Sequence, residues 1–223
     1  MAQKRTTATI RWLRASRQRD SAGILRDKEL SPRVSVYHYL EYPHALAIFS
    51  ENRLRLANPA GWSDPYERRR LEHIPQGVSA YALCWNRSRF DEPAWRMVGF
   101  GRTNALVRIR CRVQSLLTAA TALSQERKGE FYIGKVRYEN DGREDAKVVA
   151  NLLLRKSTAM RFEREVRALW FDREPQNKGL FLPIDAQETI TQVMCSPHAH
   201  PDVKARIQQE FDKFAVSVVA ASV

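Results

Sequence analysis

The sequence predicts an α+β fold: a single mixed, largely antiparallel sheet domain with packed helices and a basic N-terminal arm. Three observations carry this reading. Short runs rich in β-forming residues are interspersed with runs at helical spacing, without regular βαβ alternation. Hydrophobic residues fill 43% of 223 positions and include five tryptophans, enough for one well-buried domain. Positions 1–33 hold nine lysines and arginines against three acids and offer little apolar surface to bury. They read as the arm, and 34–223 as the domain.

The elements follow in chain order. Positions 9–19 could form a short arginine-rich helix with Ile10 and Leu13 on one side. Ser31-Pro32 is a break. Val34 to Leu40 alternates and is rich in β-formers, so it predicts a strand. Pro43 suits a helix start, and Ala45, Leu46, Ile48 and Phe49 give that helix an apolar side ending near Asn52. Leu54 to Leu56 is a short strand, and Asn58 to Pro65 a turn-rich loop. Ser79 to Trp85 is an apolar strand, and Asp91-Glu92-Pro93 opens a helix carrying Trp95 and Met97. Ala105 to Cys111 alternates apolar and basic residues, as a strand with one wet face does. Leu116, Leu117, Ala120 and Leu123 recur at helical spacing. Phe131 to Tyr138 is a strand closed by the turn Asn140-Asp141-Gly142. Positions 144–160 look helical, and a strand runs from about 165 to 171. Leu180 to Ile184 and Thr189 to Cys195 are short strands, Val203 to Phe214 an amphipathic helix, and Val216 to Ala220 a last strand.

No apolar run approaches the roughly 18 residues that would span a membrane, and the basic N-terminus lacks the apolar core of a secretory signal. Cys84, Cys111 and Cys195 are odd in number and widely spaced, which suits free thiols in a reducing, cytoplasmic setting. The net charge is +12, and nine bases minus three acids place six of it in positions 1–33. Arg5, Arg11, Arg14, Arg17 and Arg19 are therefore the candidate contacts to a nucleic acid, whose phosphates favour such an arm through counterion release.

The chemistry concentrates at Arg161 to Trp170, where Glu163, Glu165, Arg161, Arg164 and Arg167 fall within seven positions. In a strand Glu163 and Glu165 share a face, with Arg164 on the other. Two carboxylates on one face repel, which raises one pKa unless cations compensate. Such a pair can serve acid–base chemistry or stabilise a cation, and it can equally be a structural ion-pair cluster. Asp64 and Glu67 flank Pro65-Tyr66 in the turn-rich loop and join Arg167 as candidate substrate contacts. Cys195, His198 and His200 lack a second ligand pair at zinc spacing, so no metal site is expected. Trp85, Trp95 and Trp170 read as core anchors.

From Val34 onward the chain resembles the bacterial domain-of-unknown-function 2971 family. The similar motifs, in order, are Tyr37-His38-Tyr39, Ser63-Asp64-Pro65-Tyr66-Glu67, Cys84-Trp85 with Glu92 and Trp95, Lys156 with Phe162-Glu163-Arg164-Glu165-Val166-Arg167, and Ser196-Pro197. His38 stands where that family more often has Lys or Arg. Glu-x-Glu entering a strand is also similar to the catalytic turn of ADP-ribosyltransferases. That resemblance implies Glu165 as the catalytic carboxylate, Glu163 orienting the acceptor, His38 or Tyr39 contacting NAD, and a toxin or defence role. No phosphate-cradling glycine loop accompanies it, since Gly99-Phe100-Gly101 is too short. A nucleic-acid-binding module without catalysis, and a phosphodiester-cleaving enzyme using the Glu/Arg cluster, are the alternative classes.

Overall fold

The computed structural model describes residues 18–19, 24–89, 92–99, 105–139, 149–172 and 179–220. Among these, thirteen strands are β1 (Gln18–Arg19), β2 (Ile24–Arg26), β3 (Ser35–Glu41), β4 (Arg53–Leu56), β5 (Ser79–Asn86), β6 (Leu106–Arg112), β7 (Gly129–Lys135), β8 (Arg137–Tyr138), β9 (Arg155–Lys156), β10 (Glu165–Asp172), β11 (Leu180–Pro183), β12 (Gln192–Cys195) and β13 (Val218–Ala220). The helices are α1 (Tyr42–Glu51), α2 (Pro65–Arg69), α3 (Glu92–Gly99), α4 (Val113–Glu126), α5 (Val149–Leu152), α6 (Ala186–Thr189) and α7 (Pro201–Asp212). Nine strands form one mixed sheet in the order β1-β2-β7-β10-β5-β3-β6-β12-β13, which is the α+β architecture expected.

Strand β10 is the axis of this sheet. It pairs antiparallel with β5 and with β7 along nearly its whole length, and all eight of its residues are buried. Its alternation sorts side chains by face. Val166, Ala168 and Trp170 enter the main core, which is completed by Phe49 of α1, Leu116 of α4 and Phe211 of α7. On the opposite face Leu169 and Phe171 join a second cluster with Ala80, Ala82 and Leu153. A third cluster, Tyr37, Tyr39, Trp95, Leu106 and Met194, lies beyond β3. The polar residues at the start of β10, Glu165 and Arg167, occupy the space between these two, while Asp172 at its far end pairs with Arg127.

That space exists because the sheet parts there. β3 pairs with β6 over seven residues but with β5 only at Tyr37↔Asn86. Where the backbone ladder fails, the His38 side chain replaces it, with Nδ1 2.8 Å from the Cys84 carbonyl oxygen.

Several elements depart from the sequence reading. Arg19 and Gln18 are strand, not the end of a helix over 9–19, because their backbone pairs with Leu25 and Arg26. Arg5, Arg11, Arg14 and Arg17 lie outside the described residues. Strand β2 pairs with β7, and Ile24, Leu25 and Leu30 are buried, so residues 24–30 pack with the sheet although their sequence reads as arm. The strand expected over Phe131–Tyr138 breaks at Val136, whose N–H is taken by the Glu165 carbonyl at 2.9 Å. Positions 140–148, with the turn Asn140-Asp141-Gly142 and the start of the helix expected over 144–160, lie outside the described residues. Over 149–160 there is one turn of α5, then β9 and the start of a 3-10 turn over Thr158–Glu163 in place of a continuous helix. Ser157 caps that 3-10 turn by accepting from Ala159 N–H, and so starts it where a longer helix would have continued. Asp185 caps α6 in the same way and shortens the strand expected over Thr189–Cys195 to β12.

Candidate active site

The helix start at α2 delivers the first acid. Asp64 accepts from the backbone N–H groups of Tyr66 (2.8 Å) and Glu67 (3.4 Å), and Pro65 occupies the first helical turn. This cap turns Glu67 inward, where it is 5% exposed. The 3-10 turn delivers the second. Glu163 ends it, and Arg164 follows in the left-handed region at φ 45°. Glu163 and Glu165 therefore reach the same place, but through a left-handed turn and not by strand alternation. The third acid, Glu165, opens β10, and its own N–H donates to Tyr138 Oη at 2.7 Å.

Two cations tie these acids together. Arg167 Nε donates to Glu165 Oε1 at 2.9 Å, and its Nη2 donates to Glu165 Oε2 at 2.9 Å and Glu67 Oε1 at 2.5 Å. Its Nη1 donates to the Leu153 carbonyl at 2.7 Å, and Trp62 lies over the guanidinium at 4.3 Å. Lys156 Nζ donates to Glu163 Oε2 at 2.5 Å and sits 3.5 Å from Glu165 and 3.9 Å from Glu67. Three carboxylates against two cations leave one formal negative charge in excess.

The network divides the two acids of the Glu-x-Glu pair. Burial pushes Glu165 up, but the charge and hydrogen bonds of Arg167, aided by Lys156, outweigh it and hold the carboxyl below its usual value. Burial pushes Glu163 up, and here the single contact to Lys156 does not compensate. The two acids are thus driven apart: Glu165 is held below the usual carboxylate range and Glu163 above it. Cys84, opposite Arg167 in register, is pushed well above the ordinary thiol range by burial and then by the charge of Glu165. Burial likewise raises the Tyr138 hydroxyl to about 12.

Apart from Tyr138, which lies behind Glu165, these groups line a cleft of about 300 Å³ at the parting of the sheet, with Tyr37, Tyr39, Trp62 and Trp85 as aromatic walls and His38 among them. Burial lowers the His38 pKa to about 4, so its ring is neutral and Nδ1–H donates to Cys84. Nε2 remains as the acceptor. The ring of Tyr39 stands edge-on to Trp95 at 4.7 Å. The indole N–H of Trp85 is buried and meets no hydrogen-bond partner among the described residues.

Of the residues singled out from the sequence, Glu67, Glu163, Glu165, Arg167, His38 and Tyr39 meet at this cleft. Asp64 does not: its carboxylate is spent on the α2 cap, and its part is to position Glu67. Lys156, Trp62, Cys84 and Tyr138 belong to the site and were not singled out for it. Lys156 had a signal, since it precedes Glu163 in the motif that carries the family resemblance. Trp62 had none, because its place over Arg167 depends on the fold. Cys195, His198 and His200 separate: Cys195 is buried, His198 bonds Glu92 at 2.9 Å and His200 caps α7.

No family model matches the chain, and no curated protein does. Among solved structures it is similar to DarT from Thermus sp. 2.9 in complex with NAD+, at 8% identity over 86% of this chain and 97% of that one, with a TM-score of 0.45. DarT in complex with carba-NAD+ (9%, 86% and 97%, 0.41) and with ADP-ribosylated ssDNA (12%, 86% and 96%, 0.43) is similar at the same level. Likeness this distant assigns no activity. Fold and site together define a split mixed sheet with a carboxylate-rich aromatic cleft at the split. No helix among the described residues is long and apolar enough to cross a membrane.

Proposed function

We propose that the chain is an ADP-ribosyltransferase-like enzyme, which cleaves NAD between nicotinamide and ribose and passes the ADP-ribose to a nucleophile on a nucleic-acid or protein target. The observation that carries this is the excess negative charge of the Glu67–Glu163–Glu165 cluster, with Glu165 held ionised, at the floor of an aromatic cleft. NAD as substrate would supply a glycosidic bond whose cleavage leaves positive charge on the ribose. A fixed carboxylate in a site shielded from water stabilises such a charge most strongly. The fit rests on the cleft itself: its tyrosine and tryptophan walls suit flat rings, and the His38 Nε2 offers an acceptor.

Each residue then has a defined task. Glu165 stays ionised and faces the developing cation. Arg167 fixes its orientation from β10, and Glu67 fixes Arg167. The bond between ribose and nicotinamide breaks with its electron pair going to the pyridinium nitrogen, so nicotinamide leaves neutral. Glu163 takes the proton released when the acceptor's nucleophile bonds to the ribose carbon, and the transfer is redox-neutral. His38 orients the substrate from the sheet parting. The two cations lining the cleft, Lys156 and Arg167, are both committed to carboxylates, so neither is spare for the pyrophosphate.

One observation favours a second reading. Both oxygens of Glu165 are already bonded to Arg167, as in a structural ion-pair network within a nucleic-acid-binding module. Glu165→Gln separates the two. The transferase reading expects nicotinamide release to fall on the order of hundred- to thousandfold at a temperature where the variant is still folded. Loss of the Glu165 charge also lowers the melting temperature, by leaving Arg167 short of a buried partner. The module reading expects no nicotinamide release from the wild-type protein under any condition, and that result overturns the transferase.

A further inference from the structure

Glu165 borders two depressions. Besides the aromatic cleft, it lines an open groove of about 670 Å³ together with Arg87, Lys135, Tyr138, Arg161, Phe162 and Arg164. Four of those six residues are cationic. Lys135 meets Glu29 at 3.0 Å, while Arg87, Arg161 and Arg164 are exposed and meet no carboxylate among the described residues. In the cleft next door every cation is neutralised, so the contrast is local and not a matter of overall charge.

Phe162 stands in the middle of these arginines with 44% of its surface in water. A large apolar ring flanked by unpaired cations is a poor solubility device. It is a good stacking surface, since every base has a π-face. The backbone beneath it is held in place. Arg164 adopts φ 45°, in the left-handed region that favours glycine. The Arg164 carbonyl accepts from Arg87 N–H at 3.2 Å, and the Arg164 N–H donates to the Arg161 carbonyl at 3.4 Å. One left-handed residue thereby joins the groove to the acid site: Arg161 and Phe162 precede it, and Glu165 follows.

We propose that this groove binds the sugar-phosphate backbone of a single-stranded nucleic acid, with one base stacked on Phe162. The exposed guanidinium groups match phosphates in charge and in their forked geometry. A paired base is already stacked between its neighbours and leaves no face for Phe162, so the occupant is single-stranded. This deepens the transferase reading by naming the acceptor class, although the binding itself does not depend on that reading. The assignment moves nucleic-acid contact from the N-terminal arm to the threshold of the acid cluster.

The test is fluorescence anisotropy on the full chain, without NAD, using a labelled single strand of about 15 nucleotides across a salt series. Each phosphate contact adds about 0.7 to the salt slope of a single strand, so R87Q/R161Q/R164Q should lower the slope by about two. Phe162→Ala should weaken single-strand binding on the order of tenfold, Phe162→Trp should restore it, and a duplex of the same sequence should be indifferent to both. Circular dichroism melts establish that the variants fold. Unchanged affinity and slope in the groove variants overturns the proposal. So does a slope that disappears in R5Q/R11Q/R14Q/R17Q, or equal competition by polyglutamate and oligonucleotide. Nicotinamide release is scored separately: its absence with intact groove-dependent binding overturns the transferase reading alone.

Discussion

Two buried arginines lie on the same face of the sheet, one on each side of the parting between β3 and β5, and each is only 1% exposed. Arg167 is surrounded by carboxylates: Glu165 takes two of its donors and Glu67 a third. Arg108 has none among its described partners. Its guanidinium donates to the Arg89 carbonyl and to Gln192 Oε1 and lies 4.6 Å from the Tyr37 ring centroid. The consequences are opposite. Burial works against the charge of both, but the charge and hydrogen bonds of Glu165 raise the pKa of Arg167, while for Arg108 burial prevails and lowers it. The β10 side is an ionic network in which each group depends on the next. The β6 side is an aromatic frame in which the charge is a net burden.

The largest expected effect breaks the network. Arg167→Met leaves Glu67 and Glu165 buried without their main partner. Removing one member of a buried pair typically costs about 3 to 5 kcal/mol, so urea denaturation should show a loss of that size. A loss below about 1 kcal/mol would mean that Lys156 alone neutralises the cluster.

The next effect acts on the clasp between the two sides. The folded pKa of His38 is near 4 and its unfolded value near 6.5. Between these values the unfolded chain binds more protons, so stability is full above about pH 6.5 and falls as pH drops towards 4. At 1.36 kcal/mol per pKa unit the loss is up to about 3 kcal/mol. Melting curves over this range should show the decline in the wild-type protein and a much flatter profile in His38→Gln. Identical slopes would place the acid sensitivity elsewhere.

The smallest effect belongs to Arg108. Arg108→Met relieves a desolvated charge but leaves one carbonyl and one amide oxygen unmatched, so the terms offset and the net change should lie within about 1 kcal/mol of zero. A cost equal to that of Arg167→Met would erase the contrast between the two sides.

The residues of the ionic network were largely visible in advance. Glu163, Glu165 and Arg167 stand out because acids and arginines rarely crowd into a segment that runs on into Ala168-Leu169-Trp170. Glu67 stood out through its place beside Pro65-Tyr66 at the end of a turn-rich loop. The residues around Arg108 were not visible, because aromatic and basic alternation in β3 and β6 reads equally well as a half-wet pair of strands. The positions 144–160 misled for a related reason. Their composition favours a helix, but the backbone of Arg155 and Lys156 pairs with Arg137 and Tyr138, and that pairing is non-local.

By itself the sequence determined the fold class, the positions of most strands and the acid–arginine segment, because periodicity, turn residues and charge density act within a few positions of one another. The tertiary structure alone decided which strands separate. The pairing of β3 with β5 at Tyr37↔Asn86 alone creates the cleft, and only the tertiary fold brings Glu67 of α2 to Arg167 of β10, one hundred positions away. Strand order and the desolvation that drives Glu163 up arise from contacts between distant segments. They become defined when the chain closes on itself.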